Sequence, residues 1–285
     1  MSWHFNTLMK LRLKKSSFLL IGLFLVALVL CIKNINEPDI FWQIRAGEWI
    51  LENGKIPTTD VFSFTFDGEP WNNVKWGSEV VFALFTKLGG VEALIFLQII
   101  VVLLILFFLI KTFRQYSANI YAEIITLLTL VVGSSFRFNT RPEMFSYLFT
   151  AIYFFILVRN FNKNDKVIYL LVPLQLLWAN THEGYGIGLA IQLIYLFSTF
   201  LEKKLNKKNI NIKHLLYVFI SSIFVVSIHP LGFKMISQPF EIFSQLSANN
   251  YTTELLSFSS KSYWKLHAFI ALSVFLVVLF KFKFF

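Results

Sequence analysis

Charge is what this chain has least of. Only 15% of its 285 residues are Asp, Glu, Lys or Arg, where soluble domains carry about a quarter. That deficit excludes a soluble globule, a disordered chain and a coiled coil. Cysteine is nearly absent too: Cys31 stands alone, so no intramolecular disulfide can form and the sequence says nothing of redox compartment. There is no glycine-rich phosphate cradle and no nucleophile motif, which leaves kinase-like, protease-like and nucleotide-sugar mechanisms without support. What fills the chain is apolar: 56% hydrophobic residues, 34 of them Phe, with a mean hydropathy of +0.64.

The apolar residues fall in runs of roughly 13 to 20, each long enough for a buried or membrane helix and too long for barrel strands. They cover 17–32, 91–110, 118–133, 144–158, 167–179, 185–201, 214–228 and 266–280. The predicted fold is an all-α polytopic membrane protein with about eight transmembrane helices, one module over residues 1–285. The formal charge of +10 would suggest nucleic acid in a soluble protein. Here the basic residues alternate with the apolar runs instead, as the positive-inside rule requires. Lys10, Arg12, Lys14, Lys15, Lys111, Arg114, Arg159, Lys163, Lys166, the Lys203–Lys213 group, Lys281 and Lys283 fall on one side. That side is read as cytoplasmic, with both termini on it and no nucleic-acid partner. The first run is read as an uncleaved anchor, because no Ala-x-Ala site follows it. Six tryptophans (Trp42, Trp49, Trp71, Trp76, Trp178 and Trp264) then fall at or near the outer face, as interfacial anchors or parts of a site.

The polar mass also lies on that face. Residues 34–90 form the longest polar stretch, expected to be a small folded lid. Trp42, Ala46, Trp49 and Ile50 recur at helical spacing before Gly54, a helix stop. Phe62, Phe64 and Phe66 alternate with small polar residues into Asp67-Gly68, a hairpin signal. A second surface helix is expected over 76–88, closed by Gly89-Gly90. The run 167–179 would span about 20 Å as a helix, short of a hydrocarbon core of about 30 Å, so Asn180, Thr181, His182 and Glu183 are expected below the outer membrane surface. Pro173 marks a kink in this run.

Several strings carry a resemblance. Glu37-Pro38-Asp39-Ile40-Phe41-Trp42 with Gly47-Glu48-Trp49-Ile50, then Pro57-Thr58-Thr59-Asp60-Val61-Phe62-Ser63, Pro70-Trp71 and Trp76-Gly77-Ser78-Glu79-Val80 resemble the first outer loop of bacterial GT-C-type membrane glycosyltransferases. Residues 137–143 and 177–184 resemble that group's next two outer connections, and His229-Pro230-Leu231-Gly232 resembles its Asn-Pro-aromatic-Gly string with His in place of Asn. The resemblance implies a prokaryotic inner-membrane enzyme that takes sugar from a polyprenyl-phosphate donor and passes it to a glycan, lipid or protein acceptor. It also implies an acidic residue in the first outer loop near the first span. Members of that group usually continue with more spans or a carboxy-terminal domain, whereas this sequence runs to Lys283-Phe284-Phe285.

Such a transfer needs a base for the acceptor and cations for the departing phosphate. Asp39 is the candidate base, six residues after Lys33; its alternative is to cap the following helix. Glu37 is expected to be solvated. Arg137 and Arg141, four apart, can grip a phosphate with their planar forks or pair with Glu143 or Glu183. His182 is a candidate donor to the phosphate and Glu183 a second acidic group, unless the two satisfy each other. Asp60, Glu79 and His229, with Glu37, are candidates for the acceptor or metal neighbourhood. Asp60 is read first as a turn cap, Glu79 as a helix start and His229 as a turn. Position 186 is Gly, so no His-Glu-x-x-His zinc site exists; the metal is unassigned and no soluble cofactor is implied. Gly184, Gly186 and Gly188 are read as close-packing positions. Two other classes compete with the enzyme. A lipid or small-solute transporter would show inverted repeats and midplane charges, and an inactive partner subunit would keep the module without the chemistry.

Overall fold

The computed structural model describes residues 2–116, 119–163, 166–206 and 212–248, together with Trp264, His267, Ala268 and Ala271. The expected eighth span over 266–280 and most of the outer loop before it lie outside the described residues. Among the described residues all regular structure is helical. In chain order the helices are α1 (Ser2–Cys31), α2 (Asp39–Asn53), α3 (Trp76–Gly89), α4 (Ala93–Gln115), α5 (Ile120–Ser134), α6 (Glu143–Lys163), α7 (Leu171–Thr181), α8 (Gly186–Asn206), α9 (Ile212–Val226) and α10 (Lys234–Ala248). Short 3₁₀ turns at Ser135–Arg137, Lys166–Leu170 and Glu183–Tyr185 extend α5 and introduce α7 and α8.

Four helical stretches are long and apolar enough to cross a membrane: Ala93–Gln115, Ile120–Arg137, Glu143–Phe161 and Glu183–Leu205. The protein is therefore a membrane protein. Two shorter apolar helices, Ser17–Cys31 and Ile212–Val226, accompany them. The α7 region combines five 3₁₀ and eleven α-helical residues, about 26 Å of rise. Pro173 sits in the first turn of α7, where its missing N–H needs no partner, so the break comes before it as the 3₁₀-to-α transition.

α4 packs on α6, α7 on α9, and α1 against both α4 and α5. Leu23, Ala27 and Cys31 of α1 bury against Leu106, Leu127 and Val131. A second core holds Phe149 and Tyr153 of α6, Trp178 of α7, Tyr185, Val226 and Met235. Trp178 is fully buried there, stacked on Phe149 with centroids 5.5 Å apart; it is a core residue rather than an interfacial anchor.

The expected helix before Gly54 is α2. It buries Ile40, Gln43, Ile44, Gly47 and Ile50, one stripe at the 3.6-residue period, and stops where Gly54 turns left-handed with φ 65° and donates its N–H to the Ile50 carbonyl. The second expected helix is α3. The two pack on each other and, through Ile40, Ile44 and Phe82, on Leu94 and Leu97 of α4 and Met144 of α6. Gly47 makes this possible: a Cβ there would lie 2.0 Å from the Glu79 backbone oxygen.

The stretch Val61–Phe66 departs from the hairpin expected of it. Only an isolated bridge between Thr59 and Pro70 forms, supported by Asp60 N–H to the Glu69 carbonyl and Trp71 N–H to the Thr58 carbonyl, both 2.8 Å. Beyond that the Asp60 carboxylate accepts from the backbone N–H of Phe62 at 2.8 Å and of Ser63 at 2.9 Å, and from the Ser63 hydroxyl at 2.7 Å. These bonds take up the donors a strand ladder would need.

Candidate functional site

The ends of α1, α5, α7 and α9 and the starts of α3, α4, α6 and α8 meet through hydrogen bonds and ion pairs that hold most of the expected site residues. They divide into two clusters.

The first lies where α1, α4, α5 and α6 converge. Gln98 of α4 donates to the Phe138 carbonyl at 2.8 Å and accepts from the Thr140 hydroxyl at 3.1 Å, while the Lys33 ammonium donates to the Ser135 carbonyl. Glu37 is not solvated as expected. It accepts from the Asn139 side chain at 2.7 Å and pairs with Arg141. Arg137 in turn faces Glu143 at 3.7 Å. Both arginines offered to a phosphate by the sequence thus already have a carboxylate partner in the fold.

The second cluster is built by the start of α3, the end of α7 and the residues after α9. Trp76 Nε1–H donates to the Asn180 side-chain oxygen at 2.8 Å, and the Asn180 amide donates to the carbonyls of Leu176 at 2.8 Å and Ile228 at 3.3 Å. One side chain thereby joins α3, α7 and the segment following α9. Glu79, read from sequence as a helix-start residue, is wholly buried in the first turn of α3. Its carboxylate accepts from Asn73 at 2.6 Å, and its second oxygen has no hydrogen-bond partner among the described residues. Burial pushes its pKa up to about 7, against the opposing pull of the Asn73 bond and the Lys75 charge.

His182 caps the 3₁₀ turn that opens α8. Its protonation pattern is fixed from two sides. Trp178 Nε1–H can only donate, and it does so to Ser146 Oγ at 2.7 Å. The Ser146 hydroxyl hydrogen is therefore left to point at His182 Nδ1, 2.7 Å away. The Gly184 backbone N–H reaches the same nitrogen at 3.0 Å. Nδ1 must accept, so the proton of the neutral ring sits on Nε2. Burial, aided by the Lys75 charge, lowers the His182 pKa to about 4, and at neutral pH the ring is an uncharged donor. Gly184 permits this arrangement, because a Cβ there would approach Ser146 Oγ and His182 Nδ1 to 2.8 Å. Gly188 likewise lies against Gln175 and Trp178, and Gly186 against Pro239.

Glu183, beside His182, is exposed. His229 is buried; its Nδ1 accepts from Leu231 N–H at 3.1 Å, and burial lowers its pKa to about 4. Its Nε2 lies toward the Val74 backbone without meeting hydrogen-bond geometry. Asp60 is tied up in its turn. Among the described residues no group of three His, Cys, Asp or Glu side chains could hold a metal ion.

Asp39 does not cap α2. Pro38 holds the cap position, with no side-chain bond to the helix, and Asp39 follows as the first residue, exposed and in no hydrogen bond or ion pair among the described residues. Trp42 stands one turn further along α2, on the same face. Over the Trp42 ring, 4.8 Å from its centroid, lies the Lys75 ammonium, which forms no ion pair among the described residues although Glu79 and His182 both feel its charge. Trp71 meets the edge of Trp42 at 6.1 Å, and Phe62 meets Trp71 at 5.4 Å. Lys75, Ser146 and Asn180 are the site residues sequence reasoning missed. Lys75 and Ser146 carry no motif, and Asn180 stood out only for its depth. No family model, curated protein or solved structure matches the chain.

Proposed function

We propose that the protein is a membrane glycosyltransferase that moves a sugar from a polyprenyl-phosphate donor to a glycan, lipid or protein acceptor at the extracytoplasmic face of a prokaryotic plasma membrane. In this reading the chain has eight spans and both termini in the cytoplasm, and residues 34–90 are its folded outer lid. The observation that carries it is the Trp42 ring one turn along α2 from Asp39, with the Lys75 ammonium over it and the neutral donor His182 within reach of the Lys75 charge; among the described residues Asp39 has no partner and Lys75 no ion pair. Transfer needs these groups together.

Asp39 takes the proton of the acceptor hydroxyl as that oxygen bonds to the anomeric carbon. The bond from that carbon to the phosphate oxygen breaks, and its electron pair leaves with the polyprenyl phosphate, inverting the anomeric centre. Lys75 and the His182 Nε2–H bear on the phosphate as its charge grows. Arg137 and Arg141 shape the neighbouring wall, and Glu183 is the second carboxylate at the mouth. The resemblance of residues 37–80 to a GT-C outer loop supports the donor class.

The test is release of polyprenyl phosphate by purified protein in lipid, with a panel of radiolabelled polyprenyl-phosphate sugars. Asp39→Asn should lower turnover by about 10²- to 10⁴-fold, the usual contribution of a positioned base, and leave donor binding unchanged. Turnover equal to wild type in that variant removes Asp39 as base. Donor binding without turnover in the wild type points to a partner subunit instead.

A further inference from the structure

We propose that the loop tip Val61–Phe66 inserts into the lipid bilayer beside the bundle and acts as a membrane-contact finger of the α2–α3 unit. None of its six residues is charged. Phe64 is 100% exposed and Phe66 63%, with Val61 and Phe62 exposed as well. The tip is built to hold these rings out. Its base is closed by the Asp60–Glu69 and Thr58–Trp71 backbone bonds, and the Asp60 carboxylate fixes the backbone of Phe62 and Ser63. These bonds fix the backbone of the turn, with Phe62 packed on Trp71 and the Phe64 ring standing clear of the protein.

Three arguments select lipid as the occupant. The exposed apolar area of the tip is on the order of 400 Å², about half of what each partner gives to a stable protein interface, ~800 Å². The rings continue an aromatic band through Phe62, Trp71 and Trp42, with Lys75 on the last. Aromatic rings flanked by lysine are the composition found where protein meets the headgroup region. Membrane-length helix α4 begins four residues after α3 ends, so the unit bearing the tip is held at the bilayer. The acidic residues Asp60, Asp67 and Glu69 stand at the base of the tip, so insertion is driven by apolar burial and is independent of anionic lipid. None of this depends on the chemistry assigned to Asp39.

The experiment places a nitroxide at Phe64→Cys, and separately at Phe66→Cys and at the exposed Asn72→Cys, in a Cys31→Ala background reconstituted in phosphatidylcholine vesicles. Phe64 touches nothing, so its replacement disturbs no packing. Labels at 64 and 66 should collide with membrane-dissolved oxygen several-fold more, relative to a water-soluble nickel chelate, than the label at 72. Nickel collisions at 64 and 66 equal to those at 72 would overturn the proposal. So would shielding from both reagents with dipolar broadening between labels, which would make a second copy the occupant.

Discussion

The two polar clusters sit side by side at the same end of the bundle and use charge in opposite ways. Around Gln98 every strong cation has an oxygen partner in the fold: Lys33 a carbonyl, Arg137 a carboxylate, Arg141 another. Around Lys75 the charges are left over among the described residues, with a cation on an aromatic ring, a carboxylate at Asp39 that meets no partner there and a histidine held neutral. A guanidinium in a short connection between helices and a lysine before a helix look alike in sequence. What separates a wall from a site is whether the fold supplies the counter-charge.

Variants can break or sharpen that contrast. Beyond the loss of turnover in Asp39→Asn, the sharpest pair is Arg141→Met against Lys75→Met. Arg141→Met leaves the half-buried Glu37 carboxylate without its guanidinium and should cost up to about 3 kcal/mol of stability, with donor affinity of the folded protein unchanged. Equal stability in a detergent melt, or a selective loss of donor binding, would move Arg141 into the site. Glu79→Gln tests the buried carboxyl. Because the folded pKa of Glu79 is raised to about 7, its stabilising share is full below the unfolded value near 4.5 and is lost as pH rises through about 7, on the order of 3 kcal/mol in all. Wild type should therefore weaken between pH 5 and 8 while Glu79→Gln does not, and parallel pH profiles would show that Glu79 ionises freely. His182 and His229 act in the opposite sense, their contribution falling away only as pH drops from about 6.5 through about 4. Lys75→Met should reduce donor affinity about tenfold, close to 1.4 kcal/mol, and hardly move the melting temperature. The smallest expected effect is Trp76→Phe, which loses one neutral hydrogen bond to Asn180 and about 1 kcal/mol.

The helices were legible where one signal dominates. The apolar runs became α4, α5, α6, α8 and α9 because hydrophobicity over so many residues admits little else. α2 and α3 followed from periodicity and from Gly54 and the Gly89-Gly90 pair. What failed was whatever depends on contacts far along the chain. Val61–Phe66 alternates like a strand, yet Asp60 beside it captures the backbone first. Glu79 reads as an ordinary first-turn acid, yet it is wholly buried where α2 packs on α3, with Gly47, 32 residues earlier, against its backbone. The partners of Glu37 lie 102 residues away at Asn139 and in Arg141 just beyond it, which no spacing rule foresees. The helix expected to begin near Phe41 starts two residues sooner, so Asp39 is its first residue and Pro38 holds the cap position without a side-chain bond.

Asn180 has a consequence for the order in which the molecule is made. Its amide ties Trp76, 104 residues earlier, to Ile228, 48 residues later. At about 5 to 20 residues per second, α3 emerges some seven to thirty seconds before the residue that completes this junction. The junction of α3 and α7 with the segment after α9 can therefore close only once the ninth helix has been synthesised. A chain stalled before Ile228 can already join α3 to α7 through Trp76 and Asn180, but it still lacks the carbonyl after α9 that closes the junction around that one side chain.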